Sequence, residues 1–192
     1  LLDKFASSGD DAGSTAYNTV RLALLGGAKK ILTYRLADSN AKPAAITLKD
    51  NGGVPASALK LTAKYPGERG NSFRVTIQSN IVDNTKQDLK LYEGTALLKT
   101  FSFLAGQLPA AVAAINDDAS NVWVIAEKIA ENGTLAAVSS LPFVGGNSGI
   151  GGITAVDYTN AMAAFETQTF NIMSLDGITD PAIQTSVTAW TV

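Results

Sequence analysis

The 192-residue chain contains neither cysteine nor histidine. Without histidine it can complete no Ser-His-Asp triad or Cys-His dyad, and it offers no imidazole to a metal. Without cysteine, thiolate zinc sites, redox dithiols and disulfides are excluded as well. No apolar run approaches the roughly 18 residues of a membrane helix, so no membrane partner is expected. The 15 basic residues are matched by 17 acidic ones and form no cluster. A nucleic-acid groove depends on concentrated positive charge, so that partner is not expected either. What is present is a hydrophobic fraction of 46%, enough for a real core.

The most informative stretch is Leu61-Thr-Ala-Lys-Tyr-Pro-Gly-Glu-Arg-Gly-Asn71 followed by Phe73-Arg-Val-Thr-Ile77. It reads as a strand ending at Tyr65, a forced turn and a second strand, a hairpin-like corner of a β-domain. Pro66 fixes φ, and Gly67 and Gly70 are available for positive φ. Phe73, Val75 and Ile77 alternate with polar residues, the period of a half-buried strand. The same period continues from Leu59 to about Phe143. It predicts strands over 59–64, 72–78, 88–92, 95–103, 122–125 and 136–143, with an edge strand over 45–48. Glu93-Gly94 turns one hairpin, and 107–115 is helical in pattern.

The flanks have a different character. Thr15 is placed to cap a helix that ends at Gly26-Gly27, with Tyr17, Val20 and Leu24 on one face. Lys30–Leu36 then reads as a strand. After Phe143 the run Gly145–Gly152 reads as a flexible linker. Thr154 with Asp157 resembles a capping box, opening a helix whose apolar face holds Tyr158, Met162 and Phe165. Phe170–Leu175 reads as a strand, and Asp180-Pro181 opens a last helix with Ile183, Val187 and Trp190 on one face. The layout is α/β, then β-sandwich, then α/β. The domains expected are 1–40, 41–145 (the inserted sandwich) and 146–192, with chain crossings near 37–58 and 143–153. The chain begins at Leu1 and stops at Val192 straight after an apolar helical pattern, and so reads as a piece of a longer protein.

Candidate sites were weighed against plain structural roles. The Gly145–Gly152 run lacks the Lys-Ser/Thr of a phosphate loop, and Gly149-x-Gly151-x-x-Thr154 lacks the third glycine of a dinucleotide fingerprint. Asp83, Asp88, Asp117 and Asp118 fit no calcium loop and read as solvated loop carboxylates. Trp123 and Tyr92 read as core residues in preference to a sugar platform. Arg69 is left between pairing with a partner and bonding carbonyls of its own turn. No catalytic, cofactor-binding or metal residue is assigned, and no enzyme activity is expected.

The A-K-Y-P-G-E-R-G-N block at 63–71 resembles the A-K-Y-x-G-x-R-G-N block of bacteriophage contractile-tail sheath proteins, in particular those of Gram-positive prophages. Gly27–Leu36 is similar to the family's G-A-x-x-v-x-x-Y-R strand, and Asp88–Gly94 to its strand and turn downstream. Leu141–Gly149, Thr154–Tyr158 and Phe170-Asn171 are similar to its L-x-G-G-x-x-G, t-x-x-d-Y and F-N passages. The order holds over about residues 16 to 190.

The resemblance implies a β-sandwich inserted into an α/β, subtilisin-like domain, with a C-terminal domain and arms in the intact protein. It implies a subunit that polymerises helically around a tail tube and contracts to drive the tube through the host envelope during DNA ejection. The partners it implies are other sheath subunits, the tail tube protein, and baseplate and tail terminator proteins. Its place would be the virion tail, assembled in the bacterial host cytoplasm. No cofactor is implied, and the fragment alone is expected to be monomeric. A rival reading is a carbohydrate- or surface-binding module of a phage or secreted protein, resting on the sandwich and its aromatics.

Overall fold

The computed structural model describes residues 16–175 and 177–191. They fall into two units, Ala37–Gly152 and the described residues flanking it. Within Ala37–Gly152 the elements are β1 (Ala45–Lys49), β2 (Ser57–Ala63), β3 (Phe73–Ser79), β4 (Lys86–Glu93), β5 (Ala96–Leu104), α2 (Leu108–Asn116), β6 (Val124–Lys128) and β7 (Val138–Pro142). They form two antiparallel sheets, one of order β1-β2-β6 and one of order β5-β4-β3-β7.

Alternation along each strand decides what the sheets bury. Phe73, Val75 and Ile77 of β3 point into the core, as do Ile46 and Leu48 of β1. Leu59 and Leu61 from the first sheet share one cluster with Leu89, Leu91, Phe101 and Phe103 from the second. Leu108, Ala111 and Ile115 of α2 add to that cluster, and the helix packs on β5 and β6. This is a mixed α+β unit whose two sheets share one apolar interior, as in a β-sandwich.

Three buried polar side chains are satisfied. Gln87 Nε2 donates to the Leu135 carbonyl at 2.8 Å, and its Oε1 accepts the Leu135 N–H at 3.0 Å. Asn121 binds the Ile115 and Val124 carbonyls, joining the end of α2 to β6. Asp88 Oδ1 accepts from Asn80 Nδ2 at 2.8 Å and from Ser102 Oγ at 2.6 Å. Asp88 is therefore a buried strand residue, contrary to its reading as a solvated loop carboxylate. Trp123 and Tyr92 are half-buried, and Trp123 packs against the core's edge.

The flanking unit holds α1 (Ala16–Leu25), α3 (Ala155–Phe165) and α4 (Pro181–Trp190). Gly27, at φ 98°, follows α1. The expected cap Thr15 and the side chain of Tyr17 lie outside the described residues. Val20 is buried, whereas Leu24 is 47% exposed, so the expected face is only partly used. Asp157 Oδ2 accepts from the Thr154 N–H (2.7 Å) and hydroxyl (2.9 Å), and Asp180 Oδ1 accepts the Ala182 N–H at 2.8 Å. Both helix starts match the sequence reading. Burial and the negative charge of Asp180 raise the pKa of Tyr158.

The strands expected at Lys30–Leu36 and Phe170–Leu175 are absent from the described residues. Alternation selects a face, but a strand exists only when a neighbour takes its backbone hydrogen bonds. Those segments instead supply rings to an aromatic row. Tyr34 meets Phe165 at 6.2 Å, Phe165 meets Phe170 at 6.1 Å, and Phe170 stacks on Trp190 at 6.1 Å.

Candidate functional site

The R-G-N corner is where the chain moves from one sheet to the other. β2 and β3 are not paired, so the expected hairpin is corrected to a crossover between sheets. Its bend is a 3-10 turn over Glu68–Ser72, preceded by Gly67 at φ 145°. Only glycine adopts that angle without strain. Gly70 serves differently from the expected positive φ. A Cβ there would lie 2.8 Å from Ala44 Cβ and 3.2 Å from Ala63 Cβ, so its role is close approach.

The corner grips the segment that leaves the unit. Asn71 Nδ2 donates to the Gly146 carbonyl (2.9 Å), and the Gly146 N–H returns to Asn71 Oδ1 (2.8 Å). The Glu68 N–H donates to Ser148 Oγ at 3.2 Å. The incoming and outgoing chains also pair directly. Lys42 and Asn147 exchange backbone bonds of 3.0 and 2.9 Å, Ala45 and Val144 exchange bonds of 2.9 and 3.1 Å, and the Asp38 N–H reaches the Gly149 carbonyl at 2.7 Å. The Gly145–Gly149 part of the run read as a flexible linker is thus bonded to the incoming chain, forming a neck of isolated backbone bridges.

Two of its glycines, Gly146 and Gly149, are there for contact. A Cβ on Gly146 would sit 2.3 Å from the Gly67 carbonyl oxygen, and one on Gly149 would sit 2.6 Å from Ala41 Cβ. Phe143 and Phe73 close the inner end edge-on at 6.0 Å.

Arg69 forms an ion pair inside its own unit. Its Nε and Nη2 hold both carboxylate oxygens of Glu93, at 2.6 and 2.9 Å. Ser72 Oγ donates to the Arg69 carbonyl at 2.7 Å, fixing the turn from which the guanidinium projects. This bidentate pair fastens the corner to the end of β4. Nothing local in the sequence pointed to Glu93.

The remaining candidate carboxylates are separate from the corner. Asp118 has a pKa lowered to about 2, first by the Lys99 ammonium and then by Ser120. Asp83 is lowered first by the Thr85 hydroxyl. Among the described residues no group of three or more carboxylates gathers where a metal would bind. Two surface concavities of the flanking unit have Glu166 as the one ionisable group among the described residues of their walls. Chemically the corner offers hydrogen bonds and one ion pair, an arrangement for holding chains together.

Residues 26–148 match the family of the phage tail sheath protein β-sandwich domain. The chain is similar to a sheath tail protein from Desulfitobacterium hafniense, with 30% identity, a TM-score of 0.68 and 96% of this chain covered. A sheath tail protein from Listeria innocua is similar at 24% identity and a TM-score of 0.63 over 95% of this chain, a likeness of fold. The chain covers 40% and 37% of those two proteins respectively. No curated protein matches it.

Proposed function

The chain belongs to the phage tail sheath family, and from that membership we propose that the intact protein polymerises helically around a tail tube and contracts to drive the tube through the host envelope during DNA ejection. Sheath proteins are structural components of the virion tail and act without catalysis, in company with other sheath subunits. The observation that carries the proposal is the family match over 26–148. The likeness to the Desulfitobacterium hafniense protein across 96% of the chain supports it.

The proposal extends to architecture and partners. The β-sandwich, 41–145, is inserted in an α/β, subtilisin-like domain to which 1–40 and 146–192 contribute. The neck supports this arrangement, because an inserted domain needs its two chain crossings side by side. The tail tube, baseplate and tail terminator proteins are the further partners, and assembly takes place in the bacterial host cytoplasm.

A helical sheath follows from heterologous contacts that do not close into a ring. Contraction is a change of packing between subunits that each stay folded, so no nucleotide or cofactor is called for. Residues 1–192 alone are expected to remain monomeric, since subunits are joined largely by strand exchange through arms. Electron microscopy of the purified intact protein is the test. Ordered tubes of uniform helical repeat are expected, and an intact protein that stays monomeric at every concentration and salt would overturn the proposal.

A further inference from the structure

The chain has two Asn–Gly steps, Asn51–Gly52 and Asn132–Gly133. At such a step the backbone readily attacks its own side chain, because glycine puts no Cβ between its nitrogen and the carboxamide carbon. The fold brings both steps to one end of the sandwich. The Asn51 N–H donates to the Thr134 carbonyl at 2.9 Å, and Asp50 bridges to Leu135. The two glycine nitrogens are held differently. The Gly133 N–H donates to the Gly106 carbonyl at 3.1 Å, with Gly133 at φ 149°. The Gly52 N–H donates instead to Asp50 Oδ1 at 3.1 Å, in a connection whose residues 51–57 are all exposed. Asp50 Oδ1 also accepts the Ala56 N–H at 3.1 Å, and the Asp50 N–H donates to the Ala56 carbonyl at 2.9 Å. These bonds keep the carboxylate on the Gly52 nitrogen. A carboxylate can take a proton from that nitrogen, whereas a backbone carbonyl is too weak a base.

We propose that Asn51 is a self-modification site, where Gly52 closes a succinimide with Asp50 as the base, and that Asn132 is not. The Gly52 nitrogen bonds to the side-chain carbonyl carbon of Asn51. As that bond forms the nitrogen becomes acidic, and its proton passes to Asp50 and from there to the departing amide nitrogen. The carbon–nitrogen bond of the carboxamide breaks and ammonia leaves, so that Asn51 and Gly52 share a cyclic imide. Water opens the ring at either carbonyl and leaves aspartate or isoaspartate at position 51. Water is consumed, ammonia is released, and nothing is oxidised or reduced. The connection between β1 and β2 gains a carboxylate beside Asp50 and, in the iso form, an extra backbone methylene. There is room for it, since a Cβ on Gly53 would meet nothing within 4 Å. At Asn132 the Gly133 nitrogen must first give up its bond to Gly106, and its proton has only that carbonyl to go to.

Ageing the full chain at mildly alkaline pH, followed by peptide mapping with mass spectrometry and isoaspartate-specific methylation, is the test. In the folded chain Asn51 should convert at least about tenfold faster than Asn132. In urea the two rates should converge, because the difference lies in the fold. Asp50→Asn keeps a side-chain oxygen for the Gly52 and Ala56 N–H groups but removes the base. It should slow conversion of Asn51 about tenfold in the folded chain and leave Asn132 unchanged. Its thermal midpoint checks that the turn survives. Conversion of Asn132 as fast as Asn51 in the folded chain overturns the inference. So does an unchanged Asn51 rate in a folded Asp50→Asn chain. If Asp50→Asn does not fold, the ratio of the two rates in the wild type decides alone.

Discussion

Substituting Gly146 by alanine places a methyl group where the neck has no room. The new Cβ would meet the Gly67 carbonyl oxygen at 2.3 Å, with Ala44 Cβ and Asn71 Oδ1 each at 3.1 Å. The closest of these is backbone, so the outgoing chain must move away from the corner. Overpacking of this kind costs about 1–3 kcal/mol. The movement also breaks the two hydrogen bonds between Asn71 and Gly146, worth about 0.5–1.5 kcal/mol each. The sum, about 2–6 kcal/mol, is a large part of a domain's usual 5–15 kcal/mol.

Urea unfolding followed by Trp123 fluorescence in a Trp190→Phe background reads the sandwich alone. Asn71→Ala should cost about 1–2 kcal/mol, because the freed Gly146 groups lie near enough to the surface to bind water. The double variant should be scarcely weaker than Gly146→Ala, since the clamp is already lost. Gly53→Ala, where a Cβ would meet nothing within 4 Å, is the control and should stay within about 0.5 kcal/mol of the wild type. A Gly146→Ala protein as stable as that control, or strict additivity with Asn71→Ala, would refute the reasoning.

Gln87→Ala should destabilise the sandwich by about 2–5 kcal/mol, since it strands both backbone groups of Leu135 in the interior; thermal unfolding within a degree of the wild type would contradict this. The lowered pKa of Asp118 makes its contribution to stability full above the ordinary carboxylate range. That contribution is lost as pH falls through about 2. Asp118→Asn should therefore flatten the acid limb of a stability–pH curve between about pH 4 and 2, and an unchanged limb would count against the Lys99–Asp118 contact.

The strands of the sandwich were legible because each buries one face, and alternation records that directly. Phe73, Val75 and Ile77 could be placed inward from the sequence, and the capped starts at Thr154 and Asp180 from local chemistry. The corner was visible as a motif but not as a mechanism. Gly70 is needed because Ala63 of its own block and Ala44, outside that block, both press on it, and nothing in the block announces Ala44. Asp88 was misread for a similar reason. A register shift between Leu91 and Tyr92 sets it opposite Ser102, and without that shift the hairpin would face it with Phe101. The alternating segments at 30–36 and 170–175 show the opposite failure, a face pattern with no neighbour to make it a strand.

The paired neck has an evolutionary consequence. A unit whose chain departs beside the place where it arrives adds little loop-closure entropy to its host, because that term grows only with the logarithm of the inserted length. Lys42 and Asn147, joined by two backbone bonds, mark such a seam. Everything between them can be lengthened, trimmed or replaced by another fold with adjacent ends while Lys42 and Asn147 stay side by side. Selection is then free to diversify the sandwich at a different pace from the chain on either side of it.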